Sequence, residues 1–594
     1  MPFDPNASFG KSLFFGEILE DQIFPFPQMP REQAELVGPI CETIDKYMAG
    51  IDTRKLDREG EFPPEVLQSL KDIGLFGIIV PEEHGGLGLS NTGYARIMEQ
   101  VASWDGSVAV TIGAHSSIGF KGLLLFGRED QKRRYLPKLA TGEMMAAFCL
   151  TEPGSGSDAF SIKTSARREG DFYVLNGQKL WITNGGIADF YTVFAKTTPD
   201  APGQKGSISA FIVTRDLGGV SHGPHEDKMG IRASNTTAVY FDNVRVPAAN
   251  LLGEEGKGFK VAMSILNHGR TGLGAGAVGG QKKLLKLAVA HATERKQFGR
   301  ALSSFGKVKE KLGRMATNAY ASESLCYLVS STIDQGGVDY SVEGAATKVF
   351  NSEALWSAAD EALQVAGGMG FMREQPYEQA VRDARINRIF EGTNEILRMY
   401  IGLTGLQKPG EYLKGLGKEL SGALTAPIKS FGLLRDYAVR KARQSVPMQA
   451  MPYGREPQIT RAHPALHEQV VYLEDAAQSL AALCETVLHR HGRNIVEQQL
   501  QVSRIADIAI DLLALSATVS RTSMLIGQRG LEQCANEVSM TYTFYSDARR
   551  RVRANLRAST GRNNDESIQH VADAAVAAGG YQNDVLETKW GHPT

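Results

Sequence analysis

Tyr173-Val174-Leu175, Leu180-Trp181-Ile182, Tyr191-Thr192-Val193-Phe194 and Ala210-Phe211-Ile212-Val213 follow one another as short runs of β-branched and aromatic residues separated by turn formers. Such side chains fit a pleated surface, and their period is close to two rather than 3.6. Asn176-Gly177, between the first two runs, is the dipeptide of a two-residue hairpin turn. Residues 144–254 are therefore expected to form an antiparallel β-domain. On either side the spacing is helical, from Arg31 to about Leu139 and from Gly258 to about Leu403. In the first block, Pro64-Glu65-Val66-Leu67-Gln68-Ser69-Leu70 reads as a helix with proline in its first turn, stopped at Gly74. The fold class that follows is mostly α with an inserted antiparallel β-domain. Its parts are an N-terminal helical domain (1–143) carrying an aromatic arm laid on it, the β-domain (144–254) and a helical bundle (255–406).

With 42% apolar and 22% charged residues among 594, the chain has the make-up of a globular protein with several cored domains. A net charge of −1 gives no global attraction to nucleic acid, and no such partner is expected. Cys41, Cys149, Cys326, Cys484 and Cys534 are scattered without a C-x-x-C pair. That pattern fits a reducing compartment and predicts neither a disulfide framework nor a metal site. No unbroken apolar run approaches the ~18 residues of a spanning helix. Asp4, Glu17, Glu20 and Asp21 leave no basic-then-apolar leader, so neither a secretory signal nor a transit peptide is expected. A processed organellar protein would read the same.

Beyond residue 406 the composition shifts. Leu413, Leu416, Leu420, Leu424, Ile428, Phe431 and Leu434 recur at steps of three and four, flanked by Lys414, Lys418, Lys429, Arg435, Arg440, Lys441 and Arg443. A basic amphipathic segment suits the surface of an anionic bilayer, and also a helix pair docked on the protein with a solvated basic face. Residues 411–445 are the expected membrane contact, kinked or broken at Pro427. Pro447, Pro452, Gly454 and Pro457 make a linker that completes segment 407–460. Helices are then expected at 465–490, 495–528, 531–556 and 567–578, enough to close a second bundle within 461–594.

The stretch richest in chemistry is Arg388-Ile389-Phe390-Glu391-Gly392-Thr393-Asn394-Glu395. Phe390 gives Glu391 an apolar neighbour, and a desolvated carboxylate is a stronger base toward carbon acids. Gly392 admits a ligand close to the backbone, while Thr393 and Asn394 offer short polar groups. Taken alone, Glu-Gly-Thr at a helix start is equally a capped turn. Phe148-Cys149-Leu150-Thr151-Glu152-Pro153-Gly154-Ser155-Gly156-Ser157-Asp158 opens the β-domain. Its small residues leave main-chain N–H groups bare for a flat polar ring or a phosphate, or simply form a loop. Leu180-Trp181-Ile182-Thr183-Asn184 puts a large aromatic and a hydroxyl on a strand end, with Trp181 also a core candidate. Arg295-Lys296-Gln297-Phe298-Gly299 and Gln364-Val365-Ala366-Gly367-Gly368 read as an exposed helix end and a helix break. His115 and Lys121 read as structural or surface residues.

Together and in this order, these pieces resemble the acyl-CoA dehydrogenase flavoproteins, from about Lys11 to Leu406. Within them the resemblance leans to the very-long-chain, membrane-associated branch, through Ile23-Phe24-Pro25-Phe26-Pro27 and, more loosely, the C-terminal extension. The resemblance implies FAD as cofactor. Phe148, Leu150, Thr151, Gly156 and Ser157 would line the flavin, and Trp181 would pack on the isoalloxazine with Ile182 and Thr183 beside it. Arg295, Phe298, Gln364 and Gly368 would serve FAD across a subunit boundary, and Thr393 and Asn394 would hold the flavin on the near side. Asn267, His268, Gly269, Arg270 and Gly392 would hold acyl-CoA, with Ser157 beside the pantetheine. In this family the base sits on either of two segments. Here one of those positions falls at Gly269, which has no side chain, and the other at Glu391, the expected catalytic residue.

The implied activity is α,β-dehydrogenation of long- or very-long-chain acyl-CoA to trans-2-enoyl-CoA, with electrons passed to an electron-transfer flavoprotein. Residues 272–280, rich in Gly and Ala, leave room for a long acyl tail or permit tight helix packing. An acyl-CoA oxidase using oxygen and a respiratory-complex assembly scaffold are the alternatives. A flavin site built from two subunits implies at least a dimer, and a helical extension covering the second pairing surface predicts a homodimer. The expected location is cytoplasmic, at the inner face of a membrane, or the mitochondrial matrix side of the inner membrane for a processed form.

Overall fold

The computed structural model describes residues 8–422, 457–561 and 563–581, with side chains through Lys414 in the first span. Helices precede and follow one sheet, in the expected order. The N-terminal block is built on amphipathic spacing. Arg31–Met48 buries Val37, Cys41, Ile44 and Met48 against Tyr94, Ile97, Met98 and Val101 of Asn91–Ala102. Pro64–Asp72 starts on its proline and ends just before Gly74, whose φ of +84° suits only a residue without Cβ. Gly106–Phe126 is a 21-residue helical run apolar enough to cross a membrane by length and composition, contrary to the expectation from unbroken runs. Its apolar window is 72% buried within the protein, as befits a core helix. His115, within its π-helical turn, is fully buried, receiving the Ala146 N–H at Nδ1 (2.9 Å) and donating from Nε2 to Leu139 O (3.0 Å). Burial pushes it down to about 4, so it is a neutral structural histidine.

The sheet runs in the spatial order Val220–His222, Thr236–Pro247, Phe172–Thr183, Ser165–Glu169, Phe190–Lys196, Ile208–Thr214, Leu251–Leu252. It is mostly antiparallel, but Ala146–Cys149 joins Phe190–Lys196 in parallel. Phe190–Lys196 and Ile208–Thr214 are buried at every residue. Alternate side chains explain this: Phe190, Phe194 and Ile212 face a core shared with Leu136, Val261 and Ile265, while Tyr191, Val193 and Phe211 face Tyr173, Leu175 and Phe241. Asn176-Gly177 is not a hairpin. It lies inside the single strand Phe172–Thr183, at a register shift against Thr236–Pro247. The turn instead falls at Gly170-Asp171, flanked by the pair Glu169 and Phe172, with Gly170 at φ +58°. A Cβ on Gly177 would lie 2.4 Å from Thr164 Oγ1, so this glycine serves a close approach rather than a reversal.

Gly258–Glu294, Gly306–Gln335, Ser341–Ala366 and Asn394–Gly422 form the second helical block. Glycines of residues 272–280 fit the packing alternative, not an open tail cavity. A Cβ at Gly272 would meet Tyr94 at 2.8 Å, at Gly274 Thr347 at 2.7 Å, and at Gly279 the Glu99 carbonyl at 2.0 Å.

His467–His491, Gln499–Arg529 and Ala535–Thr560 share one core with Gly306–Gln335. The fourth expected helix, Asp565–Ala578, buries no residue and so closes nothing. The core is completed by the N-terminal arm, which lies here and not on the first domain. Leu13, Phe14 and Ile23 are essentially fully buried in it. Each such side chain contributes about 1.5–3 kcal/mol when removed from water, which outweighs what a shallow surface site could offer. A Cβ at Gly405 would fall 2.1 Å from the Phe14 ring, and Glu343 accepts the Gly10 N–H at 2.7 Å. The amphipathic segment 411–445 falls outside the described residues from 423 onward.

Candidate active site

Glu391 sits in a turn between the 3-10 segment Ile386–Arg388 and the helix Asn394–Gly422. Glu391 (φ +54°) and Gly392 (φ +91°) are consecutive left-handed residues, and such a conformation costs a non-glycine side chain about 1–2 kcal/mol. Several bonds hold it. Lys348 Nζ, in a fully buried side chain, donates to Gly392 O and to Asn394 Oδ1, both at 2.8 Å. Asn394 Nδ2 donates to Ser352 Oγ (3.1 Å) and Glu353 Oε1 (3.0 Å). Glu353 in turn receives a bidentate contact from Arg398 (2.7 and 2.9 Å), and Arg398 Nε reaches Asp507 of the C-terminal extension at 2.7 Å. Thr393 Oγ1 accepts the Ile396 N–H at 3.2 Å, capping the helix.

The residue is half-buried, yet its carboxylate oxygen Oε2 is enclosed without a hydrogen-bond partner in the protein. Burial pushes the carboxyl up to about 7, while the Arg270 and Lys348 cations hold it back. A base poised near neutrality, able to accept a proton and not occupied with a structural bond, is what abstraction from a weak carbon acid requires. Arg270 is buried, donates from Nη1 to Asn267 Oδ1 (2.7 Å) and lies 5.5 Å from the Tyr400 ring centre. Gly269 faces the carboxylate, since a Cβ there would lie 3.1 Å from Glu391 Oε2 and 2.8 Å from Ile118. The fold thus brings together Glu391, Gly392, Gly269, Arg270 and Asn267. His268 turns to the Tyr340 hydroxyl, 2.9 Å from Nε2, and burial and Lys121 push it down to about 4. Lys121 is itself pushed down to about 8 by burial.

A second group forms on the β-domain. Leu180 N–H donates to Thr151 O (2.9 Å), setting the segment of Phe148, Leu150, Thr151, Gly156 and Ser157 beside the strand of Trp181, Ile182 and Thr183. A buried ion pair locks the two: Lys179 Nζ donates to Glu152 Oε1 (2.8 Å) and Leu150 O (3.1 Å). Trp181, at φ +55°, is 63% exposed, Gly156 and Ser157 are exposed, and no atom crowds a Cβ position on Gly156. Ile182 is buried in the sheet core and Phe148 leans on Phe194 (5.1 Å between rings). An open aromatic face beside a turn of small residues fits a flat flavin ring. Arg295, Phe298 (93% exposed), Gln364 and Gly368 stand on the surface, on the turn after Gly258–Glu294 and at the end of Ser341–Ala366. Asn394 is fully buried and its side chain is committed to Lys348, Ser352 and Glu353.

Sequence reasoning missed Lys348 and Lys179. Their signal was present: each is a lone cation, one among the apolar positions Ala345, Ala346, Val349 and Phe350, the other in a strand beside Leu180 and Trp181. Among the described residues no group of His, Cys, Asp and Glu could hold a metal ion.

An enclosed, poised carboxylate and an exposed aromatic platform on the β-domain are the parts that a flavin-dependent dehydrogenase of carbon acids needs. Comparison with known proteins gives the family. Residues 31–143, 147–244 and 256–405 match the N-terminal, middle and C-terminal domains of acyl-CoA dehydrogenase, and 464–581 match the ACAD9/ACADV C-terminal domain. The very long-chain specific acyl-CoA dehydrogenase of Macaca fascicularis is 44% identical over 97% of this chain and 88% of its own length. The human enzyme of that description is 45% identical over 93% and 84%. An acyl-CoA dehydrogenase from Bacillus anthracis, solved with FAD, superimposes with a TM-score of 0.80 at 34% identity, covering 98% of this chain and 97% of that one. The chain belongs to the acyl-CoA dehydrogenase family.

Proposed function

We propose that this protein dehydrogenates long- or very-long-chain acyl-CoA to trans-2-enoyl-CoA and passes the electrons to an electron-transfer flavoprotein. The observation that carries the reading is the enclosed, unpartnered carboxylate of Glu391 held in a left-handed turn between two cations. The mitochondrial very long-chain specific relatives support the substrate class. Bound FAD supplies the acceptor for the β-hydrogen, taken as hydride. Glu391 takes the α-proton, and its main-chain N–H is the donor for the thioester oxygen as negative charge gathers there. Arg270 keeps the proton affinity of Glu391 within reach of neutral pH. Thr151, Ser157, Trp181 and Thr183 hold the flavin, while Asn267 and Arg270 line the acyl cleft. Anaerobic addition of palmitoyl-CoA to the holoenzyme should bleach the flavin, and an unbleached spectrum would sink the proposal. Peroxide formed without any added acceptor would favour an oxidase.

The enzyme works as a homodimer in this reading, with Arg295, Phe298, Gln364 and Gly368 serving the neighbouring subunit's FAD. The exposure of Phe298, Phe371 and Met369 supports it. A monomer or tetramer by light scattering would refute it. Peripheral attachment to an anionic membrane through 411–445 rests on composition, and sedimentation with anionic liposomes tests it.

A further inference from the structure

We infer that Lys348 is a positioning residue for the proton abstraction: its buried ammonium clamps the turn that presents Glu391 and supplies the positive charge that keeps this base ionisable. The inference rests on the dehydrogenase reading. Lys348 stands in mid-helix within Ser341–Ala366, at 0% exposure, where an unpaired ammonium would be expelled. It is kept by two acceptors, Gly392 O and Asn394 Oδ1, both at 2.8 Å. Gly392 follows Glu391 directly and Asn394 comes two residues later, so the lysine fixes the exit of a turn whose two left-handed residues would otherwise relax. Neither acceptor is a carboxylate. The largest anionic compensation comes from Glu391 itself, opposed by the Arg270 cation, with Glu353 and Glu395 lesser contributors.

Arg270 faces Glu391 from Gly258–Glu294, and Tyr94 from Asn91–Ala102 is a neutral phenol, its hydroxyl pushed up to about 12. Glu353 is neutralised by Arg398, and Glu395 lies exposed in the first turn of Asn394–Gly422. Lys348 is held down to about 7 by burial, so it and Glu391 share their ionisation near neutral pH. Deprotonated Glu391 and protonated Lys348 stabilise each other. Removing the lysine charge makes the carboxylate harder to ionise and moves the basic form to higher pH.

The test is stopped-flow flavin reduction by palmitoyl-CoA as a function of pH, on FAD-loaded wild type, Lys348→Gln and Lys348→Arg. Glutamine keeps a donor for Gly392 O without the charge; arginine keeps the charge. The expected result is a reduction rate about tenfold lower for Lys348→Gln with little change in KM. Its rate profile should also shift upward by about one pH unit, while Lys348→Arg keeps the wild-type midpoint. An unshifted Lys348→Gln profile, or equal shifts in both variants, overturns the inference. Should Lys348→Gln fail to retain FAD, Lys348→Arg against wild type decides: an unmoved midpoint with a reduced rate supports it, and a midpoint moved by a full unit defeats it. If wild type itself does not reduce its flavin, the dehydrogenase reading fails instead.

Discussion

Gly269 and Glu391 meet face to face: a Cβ at position 269 would lie 3.1 Å from Glu391 Oε2. The two residues lie on different elements, and the absent side chain of one makes room for the carboxylate of the other. Gly269→Ala should press the carboxylate and Ile118 aside and lower the rate of flavin reduction about tenfold or more, with FAD content unchanged. Absorbance of bound flavin and single-turnover kinetics on the same sample check both halves.

In the proposed reaction Glu391 acts as its carboxylate, so flavin reduction should rise with pH through about 7, where burial has placed its carboxyl. Glu391→Gln should remove this limb and lower the rate by at least about a hundredfold.

The same shift has a consequence for stability. The folded-state value of about 7 exceeds the ordinary 4.5, so folding favours the protonated form. Stability is therefore undiminished below about pH 4.5 and is lost as pH rises to about 7, by roughly 3 kcal/mol in all. Glu391→Gln, neutral throughout, should melt higher than wild type at pH 8, and the difference should vanish near pH 5. Thermal unfolding of both holoenzymes at the two pH values measures it.

Lys179 and Glu152 form a buried pair at the base of the flavin platform. Lys179→Met leaves the carboxylate buried without its cation and should cost roughly 3–5 kcal/mol, with loss of FAD on gel filtration. Urea unfolding followed by far-UV dichroism gives the first figure.

Gly272 rests on the Tyr94 ring. Gly272→Ala should destabilise the protein by about 1–3 kcal/mol through overpacking and leave the preferred acyl length unchanged. A shortened chain-length optimum without loss of stability would mean that these glycines line the tail cavity after all.

The order helix, sheet, helix and the Glu391-Gly392 turn were legible because each depends on local spacing. Gly170-Asp171 and Asn176-Gly177 show where that legibility ends. Both are acceptable hairpin dipeptides, and only the approach of Thr164 to Gly177 decides which one turns. The aromatic arm was legible as apolar and not as to its destination. Phe14 is received by Gly405, nearly four hundred residues away, and nothing near residue 14 points there. Lys348 and Lys179 escaped notice for a related reason: a lysine reads as a solvated group until its acceptors are known.

The sequence alone determined the order of helical and β blocks, since hydrophobic period and turn chemistry are properties of neighbours along the chain, and it offered Glu391 as the candidate base through its family resemblance. The tertiary structure decided which charges meet. Enclosure raises the proton affinity of Glu391, while Arg270 and Lys348 reach it from helices distant in sequence and keep it ionisable; desolvation is a property of enclosure, which no stretch of chain possesses before it is folded.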